Sequence, residues 1–286
     1  MANTDSNSVL TPPQLLLKAS DIGKAKAKLR ALPLLLLSIL AGMYIAFGGV
    51  FSTVAATGMM GHSPYGVIKV LQGLVFSLGL ILVVVGGAEL FTGNMLMVIP
   101  LASRKISLMD LLRNWGLVYA GNFLGSLMVA GLVILARIYT FSNGELGNTM
   151  FAIANTKLGY SFAQALALGI LCNILVCLAV WLSYSARNTT DKVLAVLFPI
   201  SAFIAAGFEH SVANMYLIPV AFMIRSFDPI FSSTISLSSS MPGWLAFLQK
   251  NLIPVTLGNI IGGVIFVALT YFYIYQNHPD VRDREQ

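Results

Sequence analysis

Charge is what this chain has least of. Asp, Glu, Lys and Arg together make up 10% of it, while 57% is hydrophobic; a soluble domain carries roughly 25% charged residues. Too little polar surface is left to coat a globule in water, so the composition predicts an integral membrane chain. Its 286 residues leave no room for a separate soluble catalytic domain. Cysteine is nearly as scarce. Cys172 and Cys177 fall on one predicted helix, five positions apart and pointing away from each other, too distant to bridge; they read as small apolar fillers. Of three histidines only His210 falls in apolar sequence, with His62 and His278 in loops or tails. No metal or cofactor is expected. The first ten residues are polar and lack a charged segment leading into an apolar core, so they are expected to be disordered, and no cleavable signal peptide is predicted.

What is present is long apolar sequence. Six regions, roughly 32–58, 66–101, 111–139, 161–184, 193–224 and 252–275, make up a predicted membrane domain over 31–276. Ahead of it, residues 1–30 form a cytoplasmic amphipathic segment. Thr11 before Pro12-Pro13 suits a helix start, and Leu15, Leu16, Leu17 and Ile22 oppose Lys18, Lys24, Lys26, Lys28 and Arg30. Such a basic amphipathic helix lies in the membrane interface; a plain basic flank is the simpler alternative. Residues 277–286 are expected as a cytoplasmic tail.

A spanning helix needs about 20 residues. The second and fifth regions run to about 36 and 32, roughly 54 and 48 Å as straight helices, against a hydrocarbon core of roughly 30 Å. Tilt absorbs only part of the excess. Each region also holds a polar interruption of the form G-x-E-x4-N-M: Gly87-Ala88-Glu89-Leu90-Phe91-Thr92-Gly93-Asn94-Met95 and Gly207-Phe208-Glu209-His210-Ser211-Val212-Ala213-Asn214-Met215. Both regions are therefore predicted to be two half-helices joined by irregular backbone, tolerated in lipid only where it lines a cavity. An ionisable residue at this depth marks a functional path.

A second echo fixes the plan. Asn114 opens N-x6-G-N-x2-G through Gly121, Asn122 and Gly125, and Asn251 opens the same pattern through Gly258, Asn259 and Gly262. Each half carries one of each motif in the same order. Three spans per half is odd, so the halves must be inverted relative to each other, a recurrent transporter and channel plan. The predicted fold is thus all-α, with six spans as two inverted three-helix repeats and broken second and fifth spans. Residues 226–248 form a longer Ser-rich external loop.

The formal net charge of +6 does not point to nucleic acid, because its distribution follows topology. With the N-terminus inside, cytoplasmic flanks hold Lys18, Lys24, Lys26, Lys28, Arg30, Arg104, Lys105, Arg113, Arg187, Lys192, Arg282 and Arg284. The outer side holds Lys69, Arg137, Lys157, Arg225 and Lys250. The excess inside places both termini in the cytoplasm.

The interruptions carry the chemistry. A half-helix that starts near the midplane points unpaired N–H groups and the positive end of its dipole inward, which attracts a small anion without burying a full cation. Thr92 and Gly93 suit such a start, Thr as a cap and Gly for the bend. His210 is read as a hydrogen-bond donor that can also hand a proton to a weak acid; burial favours its neutral form and a nearby anion the charged one. Glu89 and Glu209 would oppose an anion if they lined its path, so they are expected to accept hydrogen bonds from backbone freed by the breaks or from Asn groups. Asn94, Asn214, Asn122 and Asn259 read as interhelical struts. Asn173 fits equally as a strut or a pore-lining donor. Phe76, Leu80 and Phe203 are ordinary apolar positions or, if they face a pore, dry constrictions that gate by dewetting. A hydrolase using Ser211 with His210 lacks an orienting acid, and adjacent helical residues diverge; no enzymatic activity is expected.

Taken together, Phe76-Ser77-Leu78-Gly79-Leu80-Ile81-Leu82, Glu89-Leu90-Phe91-Thr92, Gly169-Ile170-Leu171-Cys172-Asn173, Cys177-Leu178-Ala179-Val180-Trp181, Gly207 to Met215 and Asn251-Leu252-Ile253-Pro254-Val255-Thr256-Leu257-Gly258-Asn259 resemble the formate/nitrite transporter family, most of all its formate channel branch. The resemblance covers nearly the whole chain. It implies an aquaporin-like protomer assembled as a homopentamer in a bacterial-type inner membrane, with one pore per subunit carrying formate and similar small anions. The family's central Thr and His fall on Thr92 and His210, its pore Asn on Asn173, its apolar constrictions on Phe76, Leu80 and Phe203, and its vestibule lysines on Lys157 outside and Lys26 inside. A passive, bidirectional, pH-dependent channel is the expected function, with proton-coupled symport through His210 as the alternative.

Overall fold

The computed structural model describes residues 9–59 and 61–285; residues 1–8, most of the segment expected to be disordered, lie outside them. The described residues are almost wholly helical. Helix α1 (Pro12–Ala27) opens after Thr11, whose amide donates to Gln14 Oε1 at 3.0 Å. Helices α2 (Ala31–Ala56) and α3 (Tyr65–Gly86) follow, then an irregular stretch and α4 (Gly93–Ala102), which starts as tight 3₁₀ turns. Helix α5 (Leu108–Leu135) begins at a capping box in which Ser107 and Asp110 bond reciprocally. A short helix α6 (Glu145–Leu158) leads to α7 (Phe162–Ser183). The second broken span is α8 (Thr189–Ala205) and α9 (Ser211–Phe227). Helices α10 (Pro229–Ser233) and α11 (Ser236–Ser240) precede the long α12 (Trp244–Tyr275), which contains two π-helical stretches, and α13 (Pro279–Glu285) closes the chain.

Among the described residues, five helices are long and apolar enough to span a membrane: α2, α3, α5, α7 and α12. The sixth span is assembled from α8 and α9. Both breaks begin the same way. Gly87 and Gly207 take φ of +77° and +74°, the left-handed conformation that ends a helix and that glycine reaches without a Cβ penalty. The amides of Ala88 and Phe208 then fold back to the carbonyls of Val83 and Phe203. Thr92 and Gly93, expected to cap and bend the chain, do neither. Thr92 is helical, without a capping bond, because the turn has already been made five residues earlier.

The two repeats pack alike. Helix α2 lies on α5 as α7 lies on α12, and the glycines of the second sequence echo explain the closeness. A Cβ at Gly125 would run into the Ile39 carbonyl, and one at Gly262 into the Ile170 carbonyl. The two broken spans also meet through α3 and α8. Three segments depart from expectation. Between the third and fourth spans stands α6, whose buried Leu146, Met150, Phe151, Ala154 and Leu158 follow helical spacing. Segment 226–248, expected as an external loop, forms short helices, tied down by Arg225 Nη1 donating to the Met241 carbonyl at 2.7 Å. Residues 277–286 contain α13, which packs on α1 with Val281 buried.

Candidate functional site

Asparagine holds each break. Asn122 of α5 donates to the Ser38 and Glu89 carbonyls (2.7 and 2.9 Å) and accepts the Phe91 amide (2.9 Å). Asn259 of α12 repeats this in the other half, donating to the Gly169 and Glu209 carbonyls (2.8 and 3.0 Å) and accepting the Ser211 amide (2.9 Å). The amides of Glu89 and Glu209 donate to the Leu37 and Leu168 carbonyls, each at 3.2 Å. An unpaired backbone group in hydrocarbon costs several kcal/mol. A short side chain with two donors and an acceptor satisfies two such groups, the Glu carbonyl and the nearby amide, and anchors them to a helical carbonyl of the neighbouring span.

Each buried carboxylate is paired. Glu209, 1% exposed, lies 2.6 Å from Lys157 Nζ and accepts from Asn214 and Asn251 at 2.7 and 3.0 Å. Glu89 lies 3.1 Å from Lys26 Nζ and accepts from Asn94 at 2.8 Å. Lys26 also donates to Asn94 Oδ1 at 2.7 Å. Asn94 and Asn214 give their other hydrogen to Asn114 and Asn251, at 2.8 and 2.7 Å. The Asn partners of the glutamates match the sequence reading. Freed backbone is instead taken up by Asn122 and Asn259. The lysines, read only as vestibule cations, are ion-paired.

Between the breaks lie Thr92 and His210, 0% and 3% exposed, with Thr92 Oγ 2.9 Å from His210 Nε2. His210 is the cap of α9: its Nδ1 accepts the Ala213 amide at 3.0 Å. A nitrogen that accepts carries no hydrogen, so the ring proton sits on Nε2 and donates to Thr92 Oγ. The Thr92 carbonyl is held by Asn173 Nδ2 at 3.2 Å and by Cys177 Sγ at 3.4 Å. Asn173 gives its other hydrogen to the Asn259 carbonyl at 2.6 Å. One donor therefore reaches the first repeat and the other ties two spans of the second, so both hydrogens of Asn173 are engaged in this arrangement.

Two cavities approach this pair, each of about 180 Å³. One, on the side expected to be outer, is lined by Lys69, Gln72, Phe76, Lys157, Phe208 and Glu209 among others, and the other, on the side expected to be inner, by Ile22, Lys26, Leu80, Gly87, Glu89 and Tyr184 among others. Neither reaches Thr92 or His210. Phe76 lines the first cavity and Leu80 the second, and both, like Phe203, are no more than 2% exposed. The Phe76 and Phe203 rings meet edge to face at 5.8 Å, and Phe203 stacks on the His210 ring at 5.8 Å. Lys69 and Gln72 were not singled out from sequence, although with Phe76 and Leu80 they fall at i, i+3, i+7 and i+11 on one face of α3. Among the described residues, no group of three or more His, Cys, Asp or Glu side chains is placed to hold a metal.

The sequence model of the formate/nitrite transporter family matches residues 13–273. The chain belongs to that family. It is 42% identical to the formate channel FocA of Escherichia coli (strain K12) over 276 residues, covering 95% of this chain and 96% of FocA. It is 40% identical to FocA of Haemophilus influenzae, covering 96% and 97%. Among solved structures it is similar to a pentameric formate channel with formate bound, with TM-score 0.81 and 46% identity, over 86% of this chain and 98% of that one. It is also similar to a formate/nitrite transporter family ion channel, with TM-score 0.78 and 29% identity, over 91% and 98%. These relatives are channels and transporters, and the chain is a multi-pass membrane protein of their kind.

Proposed function

We propose that this chain is a passive, bidirectional channel for formate and similar small monoanions, assembled as a homopentamer with one pore per subunit. It sits in a bacterial-type inner membrane with both termini in the cytoplasm, and residues 31–276 form the pore domain. The observation that carries this reading is the Thr92–His210 pair, poised between two closed vestibules on paired helix breaks.

A carboxylate passing the apolar constrictions sheds water and needs donors in exchange. The hydroxyl of Thr92 supplies one, and the Nε2–H of His210 a second when the anion takes the place of Thr92 Oγ as its acceptor, at the point where the positive ends of two half-helices converge. Phe76, Phe203 and Leu80 keep the pathway dry on either side, so the anion is held only while it is hydrogen-bonded there.

The tautomer bears on the alternative. A second proton on His210 has no place but Nδ1, where it would face the Ala213 N–H 3.0 Å away and cost α9 its cap. A neutral ring that donates without cycling its proton fits the channel better than proton-coupled symport. Formate flux into proteoliposomes at several pH values, with internal pH recorded alongside, tests this. Flux with little proton movement is expected. Accumulation against a formate gradient, driven by an imposed proton gradient at fixed stoichiometry, would make the chain a symporter, and absence of formate flux beside passage of another small anion would change the substrate.

A further inference from the structure

The two vestibules differ in one charge. The inner lining holds Lys26 and Glu89 as its charged groups, and these are bonded to each other. The outer lining holds Lys157 and Glu209, paired at 2.6 Å, and also Lys69. Lys69 makes no ion pair among the described residues; its ammonium lies 5.6 Å from the centre of the Tyr65 ring, a contact that leaves its charge intact. In the register that matches Gly87 to Gly207, Lys69 falls on Thr189 and Gln72 on Lys192, and neither of these lines the inner cavity.

We propose that Lys69 collects anions at the outer mouth, and that the pore is thereby built to capture them more readily from outside than from the cytoplasm. The proposal rests on the anion-channel reading above. Lys157 and Glu209 seen from a few ångströms away are a dipole whose field falls off steeply. Lys69 is an uncompensated unit charge, half-buried at the rim of a low-dielectric funnel that focuses its field. It stands two turns above Phe76 on the same face of α3, about 10 Å along the axis, which is close to the Debye length of roughly 8–10 Å at moderate salt. Gln72 lies between them on that face, buried and lining the same cavity, so the charge leads directly to the outer constriction. Lys69 is a positioning residue for entry and stands a full vestibule away from the Thr92–His210 pair.

The test is formate entry into right-side-out and inside-out membrane vesicles, measured as half-saturation and maximal flux at low and high ionic strength. Lys69→Met is expected to raise external half-saturation about threefold to tenfold at low salt, with maximal flux kept, and to lose most of that effect at about 0.5 M salt. Lys69→Arg should behave as wild type, and in Lys69→Met half-saturation from the inner face should stay near wild type while maximal flux from that face falls by the same factor, as detailed balance requires of a passive channel. Cys172 and Cys177 are buried, so in Lys69→Cys an external thiol reagent meets only the introduced thiol. A cationic aminoethyl label should restore capture and an anionic sulfonate label should depress it further, a distinction that a structural role would not make. Wild-type half-saturation and salt dependence in Lys69→Met, or equal effects of the two labels, would overturn the proposal while the channel reading stands. A wild-type protein that carries no formate would remove the reading beneath it.

Discussion

His210 makes two hydrogen bonds with different duties, and two substitutions separate them. Nδ1 caps α9 through the Ala213 amide, and Nε2 donates to Thr92. His210→Asn keeps a side-chain acceptor where Asn is among the preferred helix caps, but its shorter side chain does not reach Thr92. His210→Phe preserves a ring against Phe203 and removes both bonds. A lost cap costs about 0.5–2 kcal/mol, so His210→Phe should be the less stable variant by about that amount. For transport the donor to the anion is what counts. A hydrogen bond to a charged partner contributes about 1.5–3 kcal/mol, which at 1.36 kcal/mol per decade is roughly a ten- to hundredfold loss of formate flux in both variants. The assay is initial formate flux in proteoliposomes at matched protein, with thermal unfolding of the purified protein in detergent. His210→Asn passing formate within about twofold of wild type would show that the Nε2–H is not required. Equal stability of the two variants would remove the capping argument.

Three further outcomes follow from the same geometry. Lys157→Met strands the Glu209 carboxylate and should destabilise the protein by about 3–5 kcal/mol, whereas Lys157→Met with Glu209→Gln should cost clearly less than the two single changes added; strict additivity in a double-mutant cycle would argue against the pair. Asn259→Leu orphans the Glu209 carbonyl and the Ser211 amide, at about 1–3 kcal/mol for each buried group, so assembled protein should be lost on size-exclusion chromatography, and Asn122→Leu should behave alike because it holds the equivalent Glu89 carbonyl and Phe91 amide. Beyond the end of α9 the Phe231 amide first, then the Tyr139 hydroxyl and the Arg137 guanidinium, hold Asp228 below the usual carboxylate range. Its contribution to stability is present above that range and is lost as pH falls through the lowered value, so amide protection in segment 226–240 should persist down to the ordinary carboxylate range and fall only in stronger acid. Loss of protection already near neutral pH would contradict it.

Much of the plan is local and was therefore legible. A hydrophobic run too long for a bilayer has to break, and the G-x-E stretches say roughly where, but the bend lies at Gly87 and Gly207 and not at Gly93, because which of several glycines takes positive φ is decided by packing. The spacing of Asn and Gly in the second echo reports two equivalent close helix contacts, because small residues at helical intervals are what permits close approach. Missed elements had weaker local signals. Helix α6 is amphipathic and too short to register as a span, and Lys69 and Gln72 become visible only when the face of α3 that carries Phe76 is known to line a cavity.

By itself the sequence determined that the chain spans a membrane six times, that its halves repeat, and that two spans are broken at Glu- and Asn-bearing stretches. Hydropathy, length and periodicity are properties of consecutive residues, and they suffice for this. Only the tertiary structure decided which groups meet: Lys26 with Glu89 and Lys157 with Glu209, 63 and 52 positions apart, and Thr92 with His210 across 118. Partners at such separations are chosen by how the helices pack, and the tautomer of His210 and the unpaired charge of Lys69 follow from that packing alone.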